Sequence, residues 1–344
     1  MNDFAWVAVF ALIGALMALL VCIRARYVGH MLRLLDVPDR RRKLHRKVTP
    51  LVGGVAVVAP VGLVLLLLMP GGSHWPLLAA ILFALGSAFV IGWIDDHRQL
   101  RATLRLVVSF LCAALALLAV PALKVTFLAF SFLDYAIFLE GWAWSFSLLC
   151  LVGLLNAVNM ADGKNGLVAG LCLFWTLALA HYAPPEIWPL LSTLAAALCV
   201  VFAYNMKGRL FLGDSGAYAL SFLIGVLTIY VYDVAFVELP ADLVALFFLI
   251  PVVDCLRLML VRIARGHSPF DGDRNHLHHM LAERMSWPRG LAIYLALVIV
   301  PALAAMLSPA FTLFWGGAAL ACYAVIVALP RPDPVLQRDP HSRA

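Results

Sequence analysis

The chain has 344 residues, of which 64% are hydrophobic and only 13% charged, against about 25% charged in a soluble domain. That balance excludes a water-soluble fold. The formal net charge of +6 resides in short loops between apolar runs, so it gives no support to nucleic-acid binding.

Apolar runs of about 20 residues, long enough to cross roughly 30 Å of hydrocarbon, recur from end to end. In chain order they predict spans over 4–23, 51–69, 76–95, 103–120, 142–160, 166–182, 188–205, 215–232, 242–262, 289–307 and 311–329. Backbone groups in lipid must be bonded within their own segment, so the spans should be helices. The expected fold class is an all-α polytopic integral membrane protein with 10–11 transmembrane helices. The first run is too long for a signal-peptide core and no basic residue precedes it, so it reads as a retained helix. The segment 121–141, with Phe127 and Phe130, fits either a short hairpin or a surface helix. The seven cysteines, none in a CxxC pattern, read as small hydrophobes in helices. No internal repeat stands out. The expected organisation is one transmembrane domain over 1–330 with cytoplasmic loops at 24–50, 95–105, 159–166, 206–216 and 262–290. A disordered cytoplasmic tail over 331–344 would follow.

Loop cations predict the orientation. With the N-terminus outside, 23 of the 25 Lys and Arg residues fall in cytoplasmic loops. Lys124 alone falls outside and Arg257 lies within a span. The positive-inside rule therefore puts the N-terminus outside and the C-terminus in the cytoplasm.

The unusual polar residues then gather at one face. Asp95-Asp96 close the third span, and Asn156, Asn159, Asp162-Gly163 and Asn165-Gly166 follow the fifth. Gly213-Asp214-Ser215-Gly216 opens the eighth. Ser268-Pro269-Phe270 through Arg274, His276, His278 and His279 follows the ninth, and a basic stretch with Lys43 and His45 precedes the second. Each has a plain alternative: a helix cap for Asp95, Asp96 or Asp214, a turn at Asp162-Gly163, a solvated loop at the histidines, a topogenic run at 40–47. Asp254 and Arg257, three apart inside the ninth span, can pair. Zinc fits poorly, since no cysteine is near the histidines and His278-His279 are adjacent. Two neighbouring carboxylates beside hydrocarbon call for a cation or a proton, and Mg²⁺ takes oxygen ligands and phosphates together. Glycine-rich helix mouths add N–H groups for anions. Together these are the parts of Mg²⁺-assisted phosphoryl transfer.

In this order the residues resemble the polyprenyl-phosphate N-acetylhexosamine-1-phosphate transferases (glycosyltransferase family 4). The resemblance runs from about Leu35 to His279. Its anchors are Lys43-Leu44-His45 with Pro50 and Gly53-Gly54, then Asp95-Asp96, Asn156-x-x-Asn159-x-x-Asp162-Gly163, Phe211 to Gly216, Pro251-x-x-Asp254 and Ser268 to His279. The His276-x-His278-His279 spacing is similar to the WecA/TagO-like branch, which primes surface glycans, rather than to the peptidoglycan branch. One departure is Asn165, where the family usually has aspartate. The resemblance implies transfer of N-acetylhexosamine-1-phosphate from a UDP-sugar, by default UDP-GlcNAc, to undecaprenyl phosphate with release of UMP. It implies an inner-membrane protein with its site facing the cytoplasm. It makes Asp95, Asp96, Asp162, His278 and His279 the catalytic candidates. Lys43, His45, Asn156, Asn159, Asn165, Arg274 and His276 become substrate contacts, and Asp214 with Asp96 the ligands of Mg²⁺, for which Mn²⁺ can substitute. The oligomeric state stays open, a homodimer included. The peptidoglycan-branch activity is the alternative within the class. A transporter or flippase is the alternative outside it, disfavoured by acids that sit at one face rather than mid-membrane.

Overall fold

Every apolar run marked out above forms a helix, because a backbone in hydrocarbon can bond only to itself. The computed structural model describes residues 3–37, 48–70, 74–270 and 273–330. Lys43, His45 and the tail 331–344 lie outside the described residues. The helices are α1 (Asp3–Ile23), α2 (Ala25–Met31), α3 (Gly53–Leu68), α4 (Trp75–Arg98), α5 (Ala102–Ala119), α6 (Ala143–Ala161), α7 (Leu167–Tyr182), α8 (Trp188–Met206), α9 (Gly213–Ala235), α10 (Ala241–Ala264), α11 (Leu277–Arg284), α12 (Trp287–Leu307) and α13 (Thr312–Ala328). Among the described residues nine helices have the length and apolar character to cross a membrane; α3 and α7 are shorter apolar helices. The protein is an all-α multi-pass membrane protein. The chain divides into two compact units, Met1–Ala245 and Leu246–Ala344.

The first unit is built around α9. Every residue of α9 from Ser215 to Tyr232 is buried, as expected of a helix that is apolar all round. Helices α3, α4, α6 and α7 pack against it, while α1 lies on α8 and α3. At the start of α9 the backbones approach closely. A Cβ on Gly92 of α4 would overlap the Asp214 carbonyl and the Ser215 Cα, and one on Gly54 of α3 would lie 2.6 Å from Gly216. The strand pair β1 (Leu35–Asp36) and β2 (Thr49–Pro50) leads into α3. Phe211 donates its N–H to Pro50 (2.8 Å), and Gly53 and Gly54 donate theirs to Phe211 and Leu212 (3.0 and 3.1 Å). The entrance to α9 is thereby laced to the entrance of α3.

The segment 121–141 is the hairpin rather than the surface helix. Strands β3 (Phe127–Ala129) and β4 (Ala136–Phe138) pair antiparallel with Leu128 opposite Ile137. The Tyr232 hydroxyl at the end of α9 accepts the Ala129 N–H (2.8 Å) and holds the hairpin in place.

In the second unit, α12 packs on α13 and α11 on α12. Helix α13 leaves most of its surface uncovered; its buried residues are Thr312, Ala319 and Tyr323.

Candidate active site

Asp95 and Asp96 occupy the last turn of α4. Successive helical residues point about 100° apart, and the two carboxylates accordingly meet different partners. Asp95 is 3% exposed. Its Oδ1 accepts the Leu100 N–H (2.7 Å), and its Oδ2 accepts from Arg105 Nη1 of α5 (2.9 Å) and from the Tyr218 hydroxyl of α9 (3.1 Å). Three donors offset the cost of burying that charge.

Asp96 turns to the N-terminus of α9. Its Oδ1 accepts the Asp214 N–H (2.9 Å) and its Oδ2 the Ser215 N–H (3.0 Å). Those are orphan donors of the first turn, and an anion there also meets the positive end of the helix dipole. The cap of α9 is thus supplied by α4 and not by Asp214. Gly213, at φ +77°, makes this approach feasible: a Cβ there would sit 2.9 Å from Asp96 Oδ2. The Asp214 carboxylate, relieved of capping, accepts no hydrogen bond from the described residues and is only partly buried.

Asp162 ends α6 and faces the same acidic group. Burial, and then the charge of Asp96, pushes its carboxyl up to about 7. Asn159, one turn earlier, directs Nδ2 to the Tyr218 hydroxyl at 3.4 Å, and its Oδ1 is buried without a partner. Tyr218 therefore links Asn159 to Asp95. Asn165 lies beside Gly208 of the loop that leads to α9. Asn156 instead donates to Val152 of its own helix (2.7 Å). The first unit thus brings Asp95, Asp96, Asn159, Asp162 and Asp214 together, with Asn165 at the adjacent loop.

The histidine cluster belongs to the second unit. His276 Nδ1 lies 3.0 Å from Asp254 Oδ2, and the His276 ring stacks on His278 with centroids 5.3 Å apart. His278 and His279 are 4.2 Å apart, ring to ring. Arg274 is exposed. The pair read from the sequence inside the ninth span is formed, with Arg257 Nη2 2.8 Å from Asp254 Oδ1. Arg262 fastens the loop by donating to Asp273 (2.9 Å) and to the Pro269 carbonyl (2.7 Å). Burial opposes ionisation of Asp273, but the bonds from Arg262 and the Asn275 N–H outweigh it and hold the carboxyl below its ordinary value.

Among the described residues no three His, Cys, Asp or Glu side chains form a ready metal cage. Mg²⁺ needs none, because it is commonly held by one or two carboxylates, water and substrate phosphates. The donor set at α9 is all oxygen, with Asp214 open. It fits that ion.

Four contributors were not read from the sequence. Arg105 and Tyr218 bind Asp95. Asn205, buried at the end of α8, accepts the Gly166 N–H and donates to the Leu210 carbonyl (2.9 Å), tying the two site loops together. Tyr323 of α13 binds Asp254. The signal available was spacing: Tyr218 lies one turn after Asp214, and Arg105 ten residues after Asp95.

Fold and site define a multi-pass membrane protein with an acidic site at its helix ends. The chain belongs to glycosyl transferase family 4, whose model matches residues 51–232, from α3 to the end of the buried part of α9. It is 28% identical to an undecaprenyl-phosphate alpha-N-acetylglucosaminyl 1-phosphate transferase of Yersinia pestis, over 75% of this chain and 72% of that one. It is 26% identical to a probable undecaprenyl-phosphate N-acetylglucosaminyl 1-phosphate transferase of Bacillus subtilis, over 80% and 77%. A decaprenyl-phosphate N-acetylglucosaminephosphotransferase of Mycolicibacterium smegmatis is 26% identical over 71% and 68%.

Proposed function

We propose that this protein transfers N-acetylhexosamine-1-phosphate from a UDP-sugar, by default UDP-GlcNAc, to undecaprenyl phosphate and releases UMP. The observation that carries the reading is the division of labour at α9. Asp96 spends its oxygens on the helix N-terminus and leaves Asp214 open beside Asp162. The names of the relatives point the same way.

Asp214 would hold Mg²⁺, with Asp96 contributing the lone pair that each oxygen keeps after accepting an N–H. Bound there, the ion would neutralise the donor's diphosphate. An oxygen of the lipid phosphate attacks the β-phosphorus, and the bond to the bridging oxygen breaks, so the electron pair leaves with UMP. Asp95, fixed by Arg105 and Tyr218, orients the lipid phosphate, which is already ionised near pH 7 and needs little activation. Asp162, Asn159, Asn165 and Asn156 serve the nucleoside and sugar. His276, His278, His279 and Arg274 supply positive charge as it is needed on the leaving group, and Lys43 and His45 add cationic contacts.

The cation count supports a cytoplasmic location for these loops, and the bacterial relatives support an inner membrane as the site of the protein. The His-x-His-His spacing favours priming of a surface glycan. The test is UMP release by purified protein with UDP-GlcNAc, undecaprenyl phosphate and Mg²⁺. Asp214→Asn should abolish it, and full activity of that variant would defeat the metal assignment.

A further inference from the structure

Tyr323 sits on a helix that otherwise turns little inward. The buried residues of α13, at 312, 319 and 323, share one face, and of these only Tyr323 meets an ionised group. A hydroxyl in an apolar span is costly unless bonded, and this one is bonded twice. Arg257 Nε donates to it (2.6 Å), and it donates to Asp254 Oδ1 (2.9 Å). Arg257 Nη2 closes the ring on the same Oδ1 (2.8 Å) and also donates to the Asn275 carbonyl (2.7 Å). The other oxygen, Oδ2, faces His276 Nδ1 (3.0 Å) and the Leu277 N–H (3.1 Å), the first donor of α11.

We propose that Tyr323 is a positioning residue of the reaction: with Arg257 it fixes the Asp254 carboxylate so that His276 keeps its proton on Nδ1 and aims Nε2 at substrate phosphate, to which Nε2 donates an N–H once the ring takes up its second proton. The carboxylate sets the tautomer and plane of the imidazole, and its own outer partners set the carboxylate. Without the clamp, Oδ1 would keep only the long contact from the Leu277 N–H (3.3 Å), and the carboxylate would be held chiefly through Oδ2. The two short bonds of the Arg257–Tyr323 clamp on Oδ1 fix the plane of the carboxylate. The same carboxylate starts α11, so the clamp also sets the entry to His278 and His279.

This inference rests on the phosphotransfer reading, and the test separates the two. UMP release is measured on the full chain in nanodiscs for Tyr323→Phe, His276→Gln and the double variant. Tyr323→Phe should lower kcat/KM by about ten- to a hundred-fold while still melting cooperatively, at a temperature lowered by the two lost hydrogen bonds. In the His276→Gln background it should cost less than about two-fold more, since residues acting through one another are not additive. Equal losses in both backgrounds, or full activity of Tyr323→Phe, would overturn the proposal. Arg257→Lys keeps the charge but not the fork, and should show the same dependence on His276 should Tyr323→Phe not fold. Independently of any substrate, ¹⁵N spectra of histidine-labelled protein read the tautomer. His276 should be protonated at Nδ1 in the native chain and shift toward a mixture in Tyr323→Phe or Arg257→Lys. An unchanged His276 signal overturns the positioning role, even where native protein releasing no UMP has defeated the functional reading.

Discussion

The Asp96 carboxylate reaches the backbone of Asp214 from another helix, with Oδ1 2.9 Å from the Asp214 nitrogen. A cap supplied in trans leaves the residue on the helix free for other chemistry. Asp96→Ala should lose about 1 kcal/mol of cap stabilisation and at least a hundred-fold in UMP release. Asp96→Asn should fall between native and Ala in melting temperature, because its amide oxygen can still accept one N–H. Thermal unfolding in detergent with the UMP assay checks both.

Two glycines on α4 should respond oppositely. Gly92 faces Asp214 and Ser215 with no room for a methyl group, whereas a methyl group added at Gly86 would meet nothing within 4 Å. Gly92→Ala should push α4 off α9, cost about 1–3 kcal/mol as overpacking does, and disable the site. Gly86→Ala should be neutral or slightly stabilising. Equal melting temperatures for the two variants would contradict the close approach.

Arg105 neutralises a carboxylate that is 3% exposed while remaining 27% exposed itself. Arg105→Met should strand Asp95 with two neutral donors and cost about 2 kcal/mol. The paired variant Arg105→Met/Asp95→Asn should recover much of that stability without recovering activity. Melting curves for the double-mutant cycle measure the coupling.

Asp162 supplies a pH dependence of known sign. In the metal-free fold its carboxyl holds a proton to about pH 7, against an ordinary value of 3.8. Between these values the folded state binds more protons than the unfolded one, so this contribution is complete below about pH 4 and is lost as pH rises through 7. Asp162→Asn should therefore melt higher than native protein at pH 8 in EDTA and approach it at pH 5. A gap that widens on acidification would contradict the assignment.

The spans were legible in the bare chain, because hydrocarbon thickness forces long apolar runs and leaves most acids at their ends, Asp254 being an exception. The same rule marked Asp95, Asp96, Asp162 and Asp214 as one group, since all of them border such runs. How they divide the work came from packing. Asp95 and Asp96 are neighbours of the same type, and only the packing of α4 against α5 and α9 turns one to Arg105 and Tyr218 and the other to a helix N-terminus. Arg105, Tyr218, Asn205 and Tyr323 were illegible for the same reason. A single polar residue in a helix acquires its partner from the face that packing turns inward, and in an apolar helix no periodicity of hydrophobic residues announces that face.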